Sequence, residues 1–474
     1  MHSTRIRNRI ALFWPCIVGL LIAPAALLAA ERPNIIFCMT DDQGYGDVGY
    51  QGHPVLMTPT LDEMAVTGLR LDRFYSASPV CSPTRASVLT GRSPNRTGVF
   101  RWGNALRPEE RTLSTLLMDA GYRTGFFGKW HLGSIRAGRP TSPGARGFER
   151  WTAAANFFMN DPWMSRDGQP VQLPGEGSLA TVDEALGFIR EAAAGEQPFL
   201  AFIWFGSPHT PHQATAELQS LYADQPPKLR NYYGEITGVD QAMGKLRDEL
   251  RELDIHRQTL LMFTSDNGGR TVDGADHRGL RGQKSDLWEG GIRVPALIEW
   301  PGRIVPRSTD MPAGTVDLFP TFLDLAGVPH PTDRPLDGIS LVPLLDGSMA
   351  SRPQPLGFWD YSRPETIGMK SDEIVQQLQA VLESGAGEIN EGILHPAAQP
   401  WAELDAYPGR AVWMDNQWKL HRTADQRYLL FDLAQDPSEQ TDVFAEQATR
   451  GRRMSEELRA WEDSVIQSVR GADY

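Results

Sequence analysis

Four apolar runs along the chain stop abruptly at clusters of polar and charged residues. They read NIIFCMT before DDQGYGD, YRTGFFG before KWHLG, FLAFIWFG before SPHTPH, and TLLMFTS before DNGG. None alternates strictly between apolar and polar positions, which suits strands buried on both faces of a parallel sheet. Between them the spacing turns helical. TLSTLLMDAGY places Leu113, Leu116, Leu117 and Ala120 on one face and ends at Gly121, and TVDEALGFIREAAA precedes the third run. This alternation predicts an α/β fold with a large mixed, mainly parallel sheet covered by helices on both faces. Ligands bind such open sheets beyond the carboxyl ends of the strands, which is where all four polar clusters fall.

After about residue 345 the pattern changes. PLGFWDY, RAVWMDNQWKLHR with Asp415 and Asn416 at a turn, and RYLLFDL predict short antiparallel strands, and SEELRAWEDSVIQSV predicts a closing helix. The expected organisation is a catalytic α/β domain over 31–345 and a smaller C-terminal α+β subdomain over 346–474 carrying a short antiparallel sheet. An insertion at about 363–408 interrupts the subdomain, and Ile374, Leu378, Val381 and Leu382 mark the apolar face of its helix. There are no internal repeats and no low-complexity tract.

The N-terminus changes the picture of where the chain works. Basic MHSTRIRNR is followed by an apolar stretch over residues 10–30, broken by Pro15 and Pro24 and ending in LLAA before Glu31. That order predicts a signal peptide over 1–30 and export to the periplasm or the extracellular space. The stretch is also just long enough to serve as an uncleaved anchor. No later segment is apolar enough to cross a membrane, so no stable insertion is expected after cleavage. Cleavage removes Cys16 and leaves Cys38 and Cys81 of the three cysteines. An oxidising compartment permits a disulfide between them, but Cys38 inside NIIFCMT reads as a small buried hydrophobe. The net charge of −13 argues against a nucleic-acid binder, which would carry a basic stripe. Small anionic ligands need only local positive charge.

The strand-end clusters supply the candidate chemistry. Asp41 with Asp42, and Asp266 with Asn267, are oxygen-rich pairs at two strand ends. Crowded carboxylates repel unless one is protonated or a cation sits among them, and oxygen donors suit calcium or magnesium rather than zinc. Alone, each pair reads as a turn or a cap; together they favour a metal. Lys129 and His131 stand two apart in GKWHLG and can point the same way on extended backbone. Pro208 and Pro211 surround His209, with His212 an equal candidate at this stage. Lys284 lies among glycines in LRGQKSDLWEGGIRVP.

CSPTR, Cys81 to Arg85, adds a nucleophile position. Ser82 as N-cap, Pro83 as a first helical residue and Gly91 as a stop predict a helix over PTRASVLT. Cys81 then lies at its positive end with Arg85 on the first turn. That setting allows a thiolate of lowered pKa, although cysteine-dependent phosphatases need the arginine where this chain has Ser87. No second cysteine or close histidine accompanies it as a zinc ligand.

With these blocks in order from about residue 32 to 445, LFDLAQDPSEQTDV included, the chain resembles the formylglycine-dependent sulfatases of the alkaline phosphatase superfamily. Their signature is cysteine, any residue, proline, any residue, arginine. The resemblance implies that a maturation enzyme oxidises Cys81 to formylglycine, whose hydrate is the nucleophile. It implies one calcium ion, or magnesium, held by Asp41, Asp42, Asp266, Asn267 and an oxygen at position 81. Arg85 and Lys129 would hold the hydrate and the sulfate, His131 would take a proton from the second hydroxyl, and His209 with Lys284 would flank the leaving oxygen. The implied activity is hydrolysis of organic sulfate monoesters, carbohydrate sulfates first and aryl sulfates in vitro. The implied partners are a sulfated small molecule or glycan and the maturation enzyme. Two rivals fit the same residues: a phosphate or phosphonate ester hydrolase of the superfamily, and a secreted binding module that is never matured. Trp102, the loop NFFMNDPWMSRDG and the insertion are the candidate pocket walls.

Overall fold

The computed structural model describes residues 1–2, 32–360, 370–391 and 407–474. The chain divides into Met1–Glu31 and a compact unit, Arg32–Tyr474. The expected leader and much of the insertion lie outside the described residues. Among the described residues no helix is long and apolar enough to cross a membrane.

The strands, in chain order, are β1 (Asn34–Thr40), β2 (Leu69–Leu71), β3 (Phe74–Tyr75), β4 (Arg123–Lys129), β5 (Arg150–Ala154), β6 (Trp163–Arg166), β7 (Gln169–Gln172), β8 (Phe199–Trp204) and β9 (Thr259–Ser265). They continue with β10 (Arg293–Val294), β11 (Ala296–Glu299), β12 (Arg307–Thr309), β13 (Ala313–Gly314), β14 (Leu356–Asp360), β15 (Arg410–Asp415), β16 (Trp418–Arg422) and β17 (Tyr428–Asp432). Among the described residues, ten of them form one sheet in the order β12-β2-β11-β9-β1-β8-β4-β5-β6-β7. The four apolar runs are β1, β4, β8 and β9. They stand side by side as β9-β1-β8-β4, all parallel, so their four polar clusters leave the sheet at one edge. Strands β6, β7 and β11 are antiparallel to their neighbours, which makes the sheet mixed, as expected.

Alternate residues of β1 feed two cores. Ile35, Phe37 and Met39 pack with Ala86, Leu89, Leu117 and Phe322 on one face. Ile36 and Cys38 pack with Leu61, Val182, Leu186 and Val239 on the other. Both faces are thus covered by helices, and a period of two lies hidden inside a continuously apolar run. Cys38 and Cys81 are both free and buried, which removes the disulfide alternative.

The C-terminal strands form an antiparallel sheet, β14-β15-β16-β17, with Asn416 at positive φ in the β15–β16 turn. Val412, Met414 and Phe431 share a core with Tyr75, Ile292 and Val316 of the N-terminal part. The insertion's helix, Ser371–Ser384, differs from the expected pattern. Ile374, Val375 and Leu378 are buried, whereas Leu382 is 48% exposed. The helix packs on β6 and β7, Ser371 Oγ accepts from Ala155 N just past β5 at 3.0 Å, and residues 382–384 of its last turn are exposed.

At the end of β4 the backbone comes close to β8. Gly128 has φ +109, and a Cβ there would meet Trp204 O at 1.8 Å. Gly128→Ala is therefore expected to destabilise the protein by ~2 kcal/mol or more, read as a fall of several degrees in apparent Tm. An unchanged Tm would contradict the close approach.

Candidate active site

The signature helix runs Cys81–Thr90 and is buried throughout. Its start differs from the expectation. Val80 is the N-cap, without a side-chain cap bond, and Ser82 is already helical. The Ser82 hydroxyl is used at long range instead: it donates to His131 O at 2.7 Å and accepts from Gly103 N at 3.0 Å. That bond ties the Cys81 helix to the loop after β4. The helix ends as expected at Gly91, whose φ of +67 and approach to Phe319, 2.9 Å from a built Cβ, leave no room for a side chain.

Asp41 and Asp42 follow β1, and Asp266 and Asn267 follow β9. All four are buried. The parallel β1–β9 register brings the two pairs together, with Asp42 N donating to Asp266 Oδ1 at 3.1 Å and Asn267 Nδ2 to Asp42 Oδ1 at 2.7 Å. Each carboxylate meets a cation. Lys129 Nζ is 2.5 Å from Asp41 Oδ2, Lys284 Nζ is 2.6 Å from Asp42, and an Arg85 nitrogen is 2.6 Å from Asp266 Oδ2. Arg85 also donates to Lys129 O at 2.9 Å and lies 5.2 Å from the Trp204 ring centroid, so the end of β8 helps to hold it.

Cys81 Sγ faces this cluster, 3.4 Å from Asp41 Oδ1 and 3.8 Å from Lys284 Nζ. Burial, with Asp41 beside it, pushes the thiol well above its ordinary pKa. The thiolate suggested by the helix N-terminus is not what this site favours, because desolvation and the neighbouring carboxylate outweigh the cations. Burial would also raise Asp41, but Lys129 and the other cations hold it well below the usual carboxylate range. Lys284 does the same for Asp42 against burial. Burial and neighbouring Asp41 push Asp266 up to about 7. His131 and His209 are both shifted down by burial, His209 to about 4, so both imidazoles are neutral at neutral pH.

The structure resolves the two histidines left open by the sequence. His209 Nε2 is 3.6 Å from Asp42 Oδ2, its Nδ1 lies 2.6 Å from Thr210 O, and Phe157 stacks on the ring at 5.1 Å. His212 pairs with Glu235 instead, at 3.3 Å. A cavity of about 510 Å³ opens onto the cluster, lined among others by Asp42, Cys81, His131, His209 and Lys284. Of the expected walls, Trp102, Asn156 and Phe157 line it. Thr210, Arg270, Gln283 and Ser285 line it too and were missed. Arg270 directly follows SDNGG and Gln283 directly precedes Lys284, so adjacency to the blocks was the available signal.

A divalent cation fits here. Ligand atoms of Asp41, Asp42, Cys81 and His209 lie within 4.8 Å of one another. The buried Asn267 Oδ1 has no hydrogen-bond partner while its amide nitrogen is engaged, so its oxygen is free to serve as a hard ligand. His209 was not expected in this group. Asp266 stands beside it, through Asp42 N and Arg85.

Fold and site together put buried acids and three cations at the strand ends around Cys81, an arrangement suited to anionic ligands. The family model described as Sulfatase matches residues 33–328. The chain is 36% identical over 383 residues to N-acetylgalactosamine-6-sulfatase of Canis lupus familiaris, covering 70% of this chain and 71% of that protein. It is 33% identical over 463 residues to arylsulfatase A of Homo sapiens, covering 89% and 85%. The crystal structure of Ps i-CgsB in complex with k-i-k-neocarrahexaose is similar with a TM-score of 0.78 and 26% identity, covering 92% of this chain and 94% of that one. The chain belongs to the sulfatase family of the alkaline phosphatase superfamily and is a sulfuric ester hydrolase.

The raised thiol makes a direct prediction. Unconverted Cys81 in the folded chain, kept in chelator at neutral pH, should alkylate ~100-fold or more slowly than a free cysteine, followed by mass spectrometry. Labelling at the free-thiol rate would contradict the burial.

Proposed function

We propose that this protein removes sulfate from carbohydrate sulfate monoesters, with Cys81 converted to formylglycine by a maturation enzyme. The observation that carries this reading is the convergence of Cys81 with Asp41 at 3.4 Å and Lys284 at 3.8 Å at the floor of an open cavity. The names of the relatives support carbohydrate and aryl sulfates as substrate classes.

A sulfate ester is a poor electrophile shielded by negative oxygens, so catalysis depends on stabilising charge that builds in the transition state. Arg85, Lys129 and Lys284 supply three cations around position 81. Asp41, Asp42, Asp266 and Asn267 would hold one calcium or magnesium ion, which would supply further fixed positive charge at the site. A hydrate at position 81 supplies two hydroxyls on one carbon, one to attack sulfur and one to drive release. Asp266 accepts the proton of the attacking hydroxyl. His209 and Lys284 flank the leaving alcohol oxygen, and Lys284, held protonated beside Asp42, gives it a proton as the sulfur–oxygen bond breaks. His131, neutral and with a buried, unpartnered Nδ1, takes the proton of the second hydroxyl. The carbon–oxygen bond to sulfate then breaks, the carbonyl re-forms, and no water attacks sulfur. A serine or thiol at position 81 has no second hydroxyl and would stall after the first step.

The same reading takes 31–345 as the catalytic body, 346–474 as a C-terminal subdomain, and the periplasm or the extracellular space as the place of action. The basic, apolar and small-residue order of residues 1–30 supports export.

The test is sulfate release from an aryl sulfate and from a sulfated hexosamine by the chain and by Cys81→Ala, both made with a maturation enzyme. The expected loss is ~1,000-fold or more; equal release by the two would overturn the assignment.

A further inference from the structure

Arg85, Lys129 and Lys284 each stand within 2.6 Å of a carboxylate of the reaction cluster. Arg270 is placed differently. It lines the same cavity, its side chain is 47% exposed, and Asp273 stands 3.7 Å from its Nε. Lys228 approaches that aspartate more closely, at 3.3 Å. A guanidinium has five donors in a planar fork, and one long contact through Nε leaves the fork's two outer nitrogens for the cavity. Asp42 is the one carboxylate among the described lining residues, and Lys284 and Asn267 already meet it.

Arg270 is also tied to the reaction centre through its own loop. Lys284 N donates to Gly269 O at 3.0 Å, and Thr271 N donates to Gln283 Oε1 at 2.9 Å. The residues on either side of Arg270 are thus bonded to Lys284 and its neighbour, which fixes the distance between the two cations. Trp102 and Phe157 give the cavity an apolar wall that fits the C–H face of a sugar ring, with Phe157 held by its stack on His209. The cavity therefore offers a sulfate position, a ring surface and one cation beyond those the sulfate uses.

We propose that Arg270 binds a second anionic group, a carboxylate or another sulfate, on the saccharide whose ester is cleaved. The preferred substrates are then saccharides carrying at least two negative groups. The proposal rests on the hydrolase reading above. A planar fork matches the paired oxygens of either group, and hydrogen bonds to charged groups are the stronger kind.

The experiment compares kcat/KM of the matured enzyme and of Arg270→Ala and Arg270→Lys on four substrates. These are an aryl sulfate, a neutral hexosamine monosulfate, the same sugar with a second sulfate, and a disaccharide with a uronic carboxylate beside the sulfated residue. The parent enzyme should prefer at least one doubly anionic substrate over the neutral monosulfate. Arg270→Ala should lower that preference roughly ten-fold, mainly through KM, and Arg270→Lys should restore part of it. Which arm loses preference identifies the carboxylate or the sulfate. Aryl sulfate turnover with no preference for a second anion, or an equal loss by Arg270→Ala on every substrate, overturns this inference and leaves the hydrolase reading standing. No turnover of any substrate by the parent overturns both.

Discussion

Three carboxylates held out of water in one cluster at neighbouring strand ends are the constraint on which the rest of the structure depends. Asp41, Asp42 and Asp266 are at most 4% exposed. Each buried ion costs several kcal/mol after relaxation unless it is paired, and like charges add to that cost. The fold answers with one cation per carboxylate, from three other segments of chain: Arg85 from the signature helix, Lys129 from the end of β4 and Lys284 from a distant loop. These pairs bring the cluster close to neutrality. A divalent cation held there would make it positive, which is what an anionic ester requires. The carboxylates hold the three cations together beside Cys81.

The scaffold that supports this cost lies on both sides of the sheet. Burying a side chain such as Phe37 or Leu186 stabilises by roughly 1.5–3 kcal/mol, and β1 alone places residues in two such cores. The C-terminal sheet supports the Lys284 loop from behind. Arg410 donates to Ser285 O at 2.8 Å, and the buried Lys419 joins Glu289 and Glu439 at 2.9 and 3.0 Å. The C-terminal strands are therefore part of what positions a cation of the site.

The four central strands were legible because burial on both faces forces continuous apolar runs, and each run ends where its polar cluster must leave the sheet. The peripheral strands β2, β5, β6, β7, β11 and β12 were not, since segments of three to five residues carry too little pattern to separate from loops. Asp41, Asp42, Lys129, His131, His209, Asp266 and Asn267 come together because they fall at or just past strand ends, whereas Arg85 reaches the cluster from a helix and Lys284 from a loop. What sequence could not give was side-chain use. Ser82 looked like a cap but is a long-range tie, the helix start that allowed a low-pKa thiolate at Cys81 instead buries a thiol whose pKa is raised, and His209 and His212 were distinguished only by which carboxylate each faces. Arg270 and Gln283 had no signal beyond standing next to DNGG and Lys284, and the fold placed them at the cavity.

The central claim is that Cys81 is a precursor and that the working group at position 81 is an oxygen-bearing carbon among hard-oxygen ligands. It is tested most directly by mass spectrometry of the peptide containing residue 81 from catalytically active protein. The account predicts an aldehyde or its hydrate in place of the thiol, in proportion to activity; an intact thiol in every molecule of a fully active preparation would contradict it.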